Sequence, residues 1–221
     1  LASLKMDADT IIAGLLHDVV EDCEISLKTV KKEFGTNVAK LVDGMTKLLQ
    51  LDDKLKDQSQ AEYFQKMALA TAEDVRVVII KLADRLHNLQ TIEHLPRDKQ
   101  IKKAKETLEL YAPLAHQIGM HKMATDLEDH SFKTIHPFRH NLIEQALKKN
   151  ELNRKTLISK VKKTLKAKFK KNKLEAGTKG RRKRIYSIYQ KMRAKQKSFA
   201  DIYDVFAFRV TVEKVEDCYK V

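Results

Sequence analysis

Four side chains that can bind a metal or move a proton fall within six residues of an otherwise apolar stretch, GLLHDVVED at residues 14–22. They are His17, Asp18, Glu21 and Asp22. Apolar residues recur at three- and four-residue steps over residues 7–21, which predicts one amphipathic helix. On such a helix Glu21 stacks over His17 and Asp22 over Asp18, so a cation in the groove beside the helix would let these groups converge.

A second apolar stretch, DVRVVIIKLADRLHNLQTI at residues 74–92, carries Asp84 and Asn88. Its β-branched start is compatible with a strand, but an apolar period near 3.6 continues to Leu89 and favours a buried helix. Asn88 then lies one turn beyond Asp84 on the same face. An imidazole from the first stretch and carboxylates from both would form a hard nitrogen and oxygen site, suited to Mn²⁺, Mg²⁺, Fe²⁺ or Zn²⁺.

A lone His-Asp pair is more often a satisfied core histidine beside a surface acid. In this chain the further acids Glu21 and Asp22 and the helix that carries Asp84 favour a metal ligand over a satisfied core histidine. Burying several carboxylates without a cation would cost several kcal/mol for each one. We therefore favour a metal site.

The charge is divided unevenly along the chain. Residues 131–221 hold 26 Lys and Arg against 8 Asp and Glu, whereas residues 1–130 hold 18 against 22, and the whole chain carries +14. This asymmetry predicts two regions with different partners. The first suits a metal held by acids, and the second suits a polyanion such as a phosphate group.

The remaining patterns predict a mainly α fold. The expected elements are short helices at 30–34 and 38–49 broken at Gly35, a polar loop at 52–60, helices at 98–112 and 114–130 divided by Pro113 and softened by Gly119, a helical segment over 137–174 ended by Gly177 and Gly180, a helix at 184–195, and a strand at 204–212. Because a single strand is not stable, we expect its partner strands outside this sequence.

The sequence shows neither a membrane span nor a secretion signal. No apolar run reaches the roughly 18 to 20 residues of a membrane span, and the first residues lack the basic and apolar regions of a signal peptide. Two distant cysteines, Cys23 and Cys218, indicate reduced thiols. We expect a cytoplasmic protein with no membrane partner.

Five stretches of the chain form a recognisable series in order: GLLHDVVED, KLADRLHNLQTI, ETLELYAPLAHQIGM, GRRKRIYSIYQKM and IYDVFAFRV. Together they resemble motifs of the RelA/SpoT homologue family, whose enzymes make and destroy the alarmone (p)ppGpp of the bacterial stringent response. Because the His-Asp pair is kept, the chain resembles the SpoT-like or bifunctional Rel branch. The resemblance implies an all-helical HD-type hydrolase domain at 1–130 without its N-terminus, a helical connector at 131–175, and the truncated start of an α/β nucleotidyltransferase-like synthetase domain at 176–221.

The resemblance implies roles for the residues of the hydrolase half. The family holds Mn²⁺ with two histidines and two aspartates, and its remaining histidine lies before the position that matches Leu1, as does a basic guanine-facing loop. The matching positions are His17, Asp18 and Asp84 as metal ligands, Glu21 and Asp22 as the acids that position and activate water, and Asn88 and Thr91 as nucleotide-pocket residues. His116 and His121 lie in a family motif, and we interpret both as structural or surface residues.

The basic stretch KGRRKRIYSIYQKM by itself is compatible with a nucleic-acid patch or a solvated helix face. The resemblance implies instead that it binds ATP, with Arg181 stacked on adenine, with Lys183, Ser187 and Lys191 on the triphosphate, and with Asp204 on Mg²⁺. Arg182 and Arg184 replace the family's commoner proline and histidine. Because the partner glutamate and a tyrosine-rich guanine-binding motif of the family follow Val221, we expect no synthetase activity from these residues alone.

The predicted activity is removal of the 3′-pyrophosphate of (p)ppGpp to give GDP or GTP, with synthesis from ATP in the full-length protein. The expected partners are ppGpp, pppGpp, GDP, GTP and ATP, with ribosome or regulatory-protein contacts through further domains. Two alternatives stay open. One is another HD-type phosphohydrolase acting on deoxynucleotides or cyclic nucleotides, and the other is a non-catalytic RNA-binding module driven by the basic half, to which the Lys-rich run at 159–175 could contribute.

Overall fold

The computed structural model of the chain describes residues 1–23, 25–55, 62, 67, 74–149, 151–172, 174–196, 198–199 and 206–221. The chain divides into two compact units, Leu1–Ile135 and His136–Val221. Of the described residues 76% are helical, and a short strand pair lies near the C-terminal end, so the predicted mainly α fold class is confirmed.

Unit 1 is helical throughout its described residues. Its α-helices are α1 (Ala8–Leu15), α2 (Val19–Asp22), α3 (Leu27–Phe34), α4 (Thr36–Leu55), α5 (Arg76–Gln90), α6 (Arg97–Glu106), α7 (Ala112–Gln117) and α8 (His121–Ile135), with 3₁₀ turns at Ala2–Leu4 and Ile92–His94 and a π-helical turn at Thr107–Tyr111. Gly35 separates α3 from α4 as predicted, but α4 continues to Leu55, so residues 52–55 of the predicted loop are helical. Residues 56–60 of that loop lie outside the described residues.

The core of unit 1 surrounds α5. This helix packs against α1, α4 and α8, and its apolar face supplies Val78, Ile80 and Leu82 to the core. The prediction of a buried helix rather than a strand at residues 74–92 is therefore confirmed, with bounds of Arg76–Gln90. The apolar period of 3.6 decided between the two because it extends over four turns, longer than a typical strand.

The predicted single helix over residues 7–21 is wrong, because the chain breaks it between α1 and α2. Leu16 ends the first helix, and the ring Nδ1 of His17 lies 2.9 Å from the Gly14 carbonyl oxygen. That carbonyl would otherwise accept a main-chain bond from Asp18, so the side chain competes with the helix at this point. Asp18 therefore stands at the N-cap position of α2.

Pro113 does not divide the helices as predicted. It lies in the first turn of α7, where the missing N–H is tolerated, and the π-helical turn before it changes the hydrogen-bond spacing that a proline would obstruct. The chain turns instead at Gly119, whose φ of +78° is a left-handed conformation that favours glycine.

Unit 2 combines helices with an antiparallel strand pair. Its elements are α9 (Pro137–Lys149), α10 (Glu151–Lys171), β1 (Ala176–Arg182), α11 (Ile185–Lys195), β2 (Phe206–Val212) and α12 (Val215–Cys218). β1 and β2 pair along their whole length, from Ala176 opposite Val212 to Arg182 opposite Phe206. α10 packs against β1, and α9 packs against α11.

The strand β1 corrects the sequence prediction, which treated Gly177 and Gly180 only as helix terminators and placed the partners of β2 outside this sequence. Two glycines and several basic residues give this segment a low intrinsic strand propensity. Pairing with β2 and packing on α10 override that propensity. Gly180 allows the close approach, because a Cβ there would lie 3.3 Å from the Ile158 side chain.

Both cysteines, Cys23 and Cys218, are free thiols, and both are exposed. Among the described residues, no helix combines the length and the apolar character needed to cross a bilayer.

Arg76 joins the start of α1, which precedes His17, to the start of α5, which carries Asp84. Its guanidinium lies 2.6 Å from an oxygen of Asp74 and 3.2 Å from an oxygen of Asp7. Asp7 in turn caps α1 by accepting the backbone N–H of Thr10 at 2.8 Å. Asp74 accepts the backbone N–H of Arg76 at 2.9 Å, so the same carboxylate stabilises the first turn of α5.

We expect Asp74→Ala to lower the free energy of unfolding at pH 7 by about 1–2 kcal/mol, because it removes the hydrogen bond to the Arg76 backbone N–H and an ion pair. Asp74→Asn keeps an oxygen for the Arg76 amide and should cost less. Urea unfolding followed by circular dichroism measures both effects. Glu33→Ala, at an exposed position of α3, is the matched control.

The effect of Asp74→Ala should depend on pH. Hydrogen bonding to Arg76 lowers the pKa of Asp74 below its ordinary value of 3.8. The carboxylate therefore stabilises the folded state fully above that ordinary value, and the stabilisation disappears as the pH falls through the lowered pKa. Below the lowered pKa of Asp74, the variant and the wild type should have the same free energy of unfolding. Equal values already at pH 7 would contradict a stabilising role for the Asp74 carboxylate.

Candidate active site

The break between α1 and α2 presents His17 to the interior of unit 1. With Nδ1 directed at the Gly14 carbonyl, the opposite ring nitrogen, Nε2, faces two carboxylates. It lies 3.0 Å from Asp18 Oδ2 and 3.4 Å from Asp84 Oδ1. Asp84 comes from α5, 67 residues later in the sequence, so the tertiary structure brings His17, Asp18 and Asp84 together.

The His17 Nε2 atom is buried and has no hydrogen-bond partner among the described residues. Both carboxylate oxygens are close enough for a hydrogen bond, but neither meets the angular requirement. A buried ring nitrogen without a bond is costly unless a cation shares the space between it and the acids. The pocket is therefore arranged for a proton or a metal ion.

The pKa values of His17, Asp18 and Asp84 are each shifted by at least one of the other two groups. Close contact with Asp84 raises the pKa of His17 above its ordinary value, although burial opposes this. Partial burial raises the pKa of Asp18, and the negative charges of Asp84 and Asp22 add to the effect. Burial alone would raise the pKa of Asp84, but the His17 contact and the nearby positive charges outweigh it and hold the pKa low.

Lys81 is a member of this site that the sequence prediction missed. Its side chain is almost fully buried, with 5% of the residue exposed, and its ammonium nitrogen lies 3.8 Å from Asp84 Oδ2. A lysine within an apolar run, three residues before an acid, was a visible signal, since positions i and i+3 share a helix face. Buried lysines are rare unless they are paired.

Asn88 lies on α5 and Thr91 directly follows it, and their side chains bond to different groups. The Asn88 amide donates to Asp84 Oδ1 at 2.8 Å, so Asn88 belongs to the cluster and orients its acid. The Thr91 hydroxyl donates at 3.0 Å to the carbonyl of His87, at the end of α5. The structure therefore places Asn88 in the cluster, and Thr91 on the exposed C-terminal end of the helix.

Glu21 and Asp22 are both exposed on the short helix α2. The backbone N–H of Asp22 donates to the Asp18 carbonyl at 2.8 Å, so the predicted stacking of these two residues is present, and Asp22 acts electrostatically on Asp18. The backbone N–H of Glu21 also donates to the Asp18 carbonyl rather than to that of His17. The predicted stacking of Glu21 over His17 fails because the helix is interrupted between α1 and α2.

The donors suit a hard divalent cation in their chemistry, since one imidazole nitrogen and carboxylate oxygens are typical ligands of such ions. Across the described ranges, no group of three or more His, Cys, Asp or Glu side chains forms a ready-made metal site. His17 meets each acid separately, as an ion-pair contact. The buried, unbonded nitrogen and the donor types nevertheless fit an ion of this class.

Two of the predicted ATP-binding residues of unit 2 share one face of α11. Ser187 and Lys191 are four residues apart on this helix, whereas Lys183 precedes it, before the N-cap residue Arg184. All three side chains are partly buried. Arg181 belongs to β1, where its backbone pairs with Ala207. Asp204 lies outside the described residues.

A cavity of about 550 Å³ lies between α9 and α11 within unit 2. From α11 it is lined by Tyr189, Met192, Arg193 and Gln196, and from α9 by Arg139, Leu142 and Ile143, with Phe199 beyond α11. Arg139 donates to the Tyr189 hydroxyl at 2.7 Å. The lining positions of α11 are on the face opposite Ser187 and Lys191, so this cavity is not the predicted ATP site.

Two family models match the chain. Residues 1–121 match the HD domain model, and this range contains His17, Asp18 and Asp84. The chain belongs to the HD domain family. Residues 180–221 match a second model, described as a region found in RelA/SpoT proteins, so the resemblance to the RelA/SpoT homologues is confirmed.

Curated relatives match over the whole chain. The chain is 43% identical over 221 residues to a guanosine-3′,5′-bis(diphosphate) 3′-pyrophosphohydrolase of Haemophilus influenzae and 42% identical to the bifunctional (p)ppGpp synthase/hydrolase SpoT of Escherichia coli. It is 45% identical, over 99% of its length, to a GTP pyrophosphokinase of Streptomyces coelicolor. The chain covers 33%, 32% and 26% of these relatives, so it spans a third of their length or less.

We expect Lys81→Met to lower the free energy of unfolding at pH 7 by about 3 kcal/mol, because it leaves the buried Asp84 carboxylate without its lysine partner. The double variant Lys81→Met/Asp84→Asn should recover most of that loss, since it removes the uncompensated charge. Urea unfolding of the two single variants and the double variant, without added metal, measures the coupling. Additive losses in the double variant would show that the two residues act independently.

Proposed function

We propose that unit 1 is the hydrolase site of a (p)ppGpp 3′-pyrophosphohydrolase, which releases pyrophosphate from the 3′ position and leaves GDP or GTP. The single observation that carries the proposal is the contact of His17 with Asp18 and with Asp84 from a distant helix. Membership of the HD domain family and the names of the relatives, which specify guanosine bis(diphosphate) and GTP, support the reaction and the substrate class.

His17, Asp18 and Asp84 would hold the divalent cation, which we propose to be Mn²⁺. Such an ion polarises water towards hydroxide near neutral pH and offsets the charge of phosphate groups. Lys81 and Asn88 fix the Asp84 carboxylate from its two oxygens. Contacts to the outer side of a metal ligand set its orientation, so these two residues position Asp84 for binding.

Asp22 is the group best placed to accept the proton of the attacking water. It is exposed, and it lies close enough to Asp18 to raise the pKa of that acid. A carboxylate on the solvent side of the cluster can take a proton from water and release it to bulk solvent. Glu21, one residue earlier on α2, is the second candidate, and Thr91 at the exposed end of α5 would contact the nucleotide.

We propose the opposing activity, pyrophosphate transfer from ATP to GDP or GTP, only for the full-length protein. Ser187 and Lys191 on one face of α11, with Lys183 just before the helix, would bind the ATP phosphates. Arg181 would stack on adenine, and Asp204 would bind Mg²⁺. The two activities together would adjust alarmone levels in the cytoplasm during the stringent response, with ribosome or regulatory-protein contacts through further domains.

The proposed substrate separates this protein from other HD-type phosphohydrolases and from an RNA-binding module. Purified full-length protein with Mn²⁺ should hydrolyse ppGpp, and not dGTP or cyclic dinucleotides. Turnover of dGTP alone would favour the first alternative. Tight, steeply salt-dependent RNA binding with no hydrolysis would favour the second, because phosphate contacts release counterions.

We expect Asp84→Asn in the full-length protein to lower ppGpp hydrolysis by more than about 100-fold, because even outer contacts of a metal site are worth about 10- to 100-fold. Steady-state hydrolysis and bound Mn²⁺ should fall together, while circular dichroism reports an intact fold. The control is Glu33→Gln, an exposed acid on α3. Unchanged Mn²⁺ binding in Asp84→Asn would contradict the ligand assignment.

The two acids of α2 should differ in their effects. We expect Asp22→Asn to lower kcat by about 100-fold, the lower end of the range for general acid–base catalysis, with Mn²⁺ affinity little changed. Glu21→Gln should have the smaller effect, because only Asp22 acts on Asp18 within the cluster. A larger loss in Glu21→Gln than in Asp22→Asn would reverse the roles of the two residues.

A further inference from the structure

Two histidines outside the His17 cluster face each other across the turn between α7 and α8. His116 is in the last turn of α7, and His121 is the first residue of α8. Their Nδ1 atoms lie 3.4 Å apart, and the ring centroids are 5.7 Å apart. Both residues are exposed, as expected for the surface residues that the prediction allowed, and they form a pair.

The separation of the two nitrogens matches a pair of metal ligands. With Zn–N bonds of about 2.0–2.1 Å, two nitrogens 3.4 Å apart subtend an angle of about 110° at the ion, which is the tetrahedral value. At the same separation, a hydrogen bond between the rings is longer than the ordinary range for a nitrogen donor. The geometry is therefore better suited to a shared metal ion than to a shared proton.

Glu128 supplies the outer contact that metal-binding histidines usually have. Its Oε1 lies 3.3 Å from Nε2 of His116, the ring nitrogen opposite the one that faces His121. Histidine ligands commonly donate this second N–H to a carboxylate, which fixes the tautomer and leaves the other nitrogen free to bind. Glu128 follows His121 by seven residues, two turns along α8, so both side chains lie on the same side of the helix.

The Glu128 side chain is more buried than the His116 imidazole that it contacts. Its side chain is only 17% exposed, whereas the side chain of His116 is 40% exposed. Burial raises the pKa of Glu128, and the His116 contact opposes that rise. The arrangement therefore has two exposed imidazoles and a more buried carboxylate that contacts one of them.

We propose that His116 and His121 form a binding site for a divalent transition-metal ion of the Zn²⁺ class, with Glu128 as the positioning residue of His116 and water completing the coordination. The site has two protein ligands, which agrees with the lack of three-ligand clusters among the described residues. Imidazole pairs select ions such as Zn²⁺, Co²⁺, Ni²⁺ and Cu²⁺ over Mg²⁺ or Ca²⁺. The proposal does not depend on the hydrolase activity.

A metal at this pair would connect the end of α7 to the start of α8. The two helices pack against each other, and the connection between them contains Gly119 in its left-handed conformation. An ion that binds the folded state and not the unfolded one raises the stability of the fold. Metal binding at this pair would therefore stabilise the turn that joins the two helices.

The test uses full-length protein that carries Asp84→Asn, so that the proposed hydrolase site does not contribute to binding. Co²⁺ titration followed by visible absorption, and Zn²⁺ titration by calorimetry, measure affinity and stoichiometry. The variants are His116→Gln/His121→Gln and Glu128→Gln, each in the same background. The matched control is His94→Gln, an exposed histidine in the 3₁₀ turn Ile92–His94.

The parent should bind one ion through nitrogen donors, and Zn²⁺ should raise its melting temperature. His116→Gln/His121→Gln should lose both effects, and Glu128→Gln should bind about 10- to 100-fold more weakly. His94→Gln should behave as the parent does. Circular dichroism without metal checks that each variant is folded. Binding in the double variant equal to that of the parent, or no Co²⁺ and Zn²⁺ binding by the parent, would overturn the proposal.

Discussion

The contact between one buried imidazole and two carboxylates is the constraint on which the rest of unit 1 depends. The packing of α1 and α5 brings His17 and Asp84 largely out of bulk water, with the half-exposed Asp18 beside them. Acids in such a place require a positive charge nearby, because desolvation of a carboxylate costs several kcal/mol. Lys81 supplies one such charge from inside the core, and the contact between His17 and the acids raises the pKa of the imidazole, so that a cation is favoured there.

Local backbone structure and tertiary packing cooperate to present these groups. The break after α1 directs one nitrogen of His17 to the Gly14 carbonyl and the other to the acids. α5 then aligns Lys81, Asp84 and Asn88 along one face, so that both oxygens of Asp84 are engaged. The guanidinium of Arg76 contacts an acid at the start of each of the two helices, which connects them at that end. Side chains carried on helices are held more precisely than side chains carried on loops.

Unit 2 is organised differently, because its chemistry lies in charge distribution rather than in a buried cluster. Ser187 and Lys191 are spaced by one helical turn on one face of α11, and the opposite face of the same helix lines the cavity between α9 and α11. One helix thus separates a polar, phosphate-compatible side from an apolar side. The strand pair beside it shows how context overrides propensity, since the glycine-rich β1 is a strand only because β2 and α10 offer it a surface.

Residue spacing alone determined the mainly α class, the helical nature of residues 76–90 and the pairing of Asp18 with Asp22, because these depend on interactions within a few turns of one segment. The family resemblance came from short motifs in order. Tertiary structure decided what spacing could not: the contact of His17 with Asp84, the burial of Lys81 and the meeting of His116, His121 and Glu128. Each of these depends on which face of an element another element covers, and a linear pattern holds no information on that neighbour.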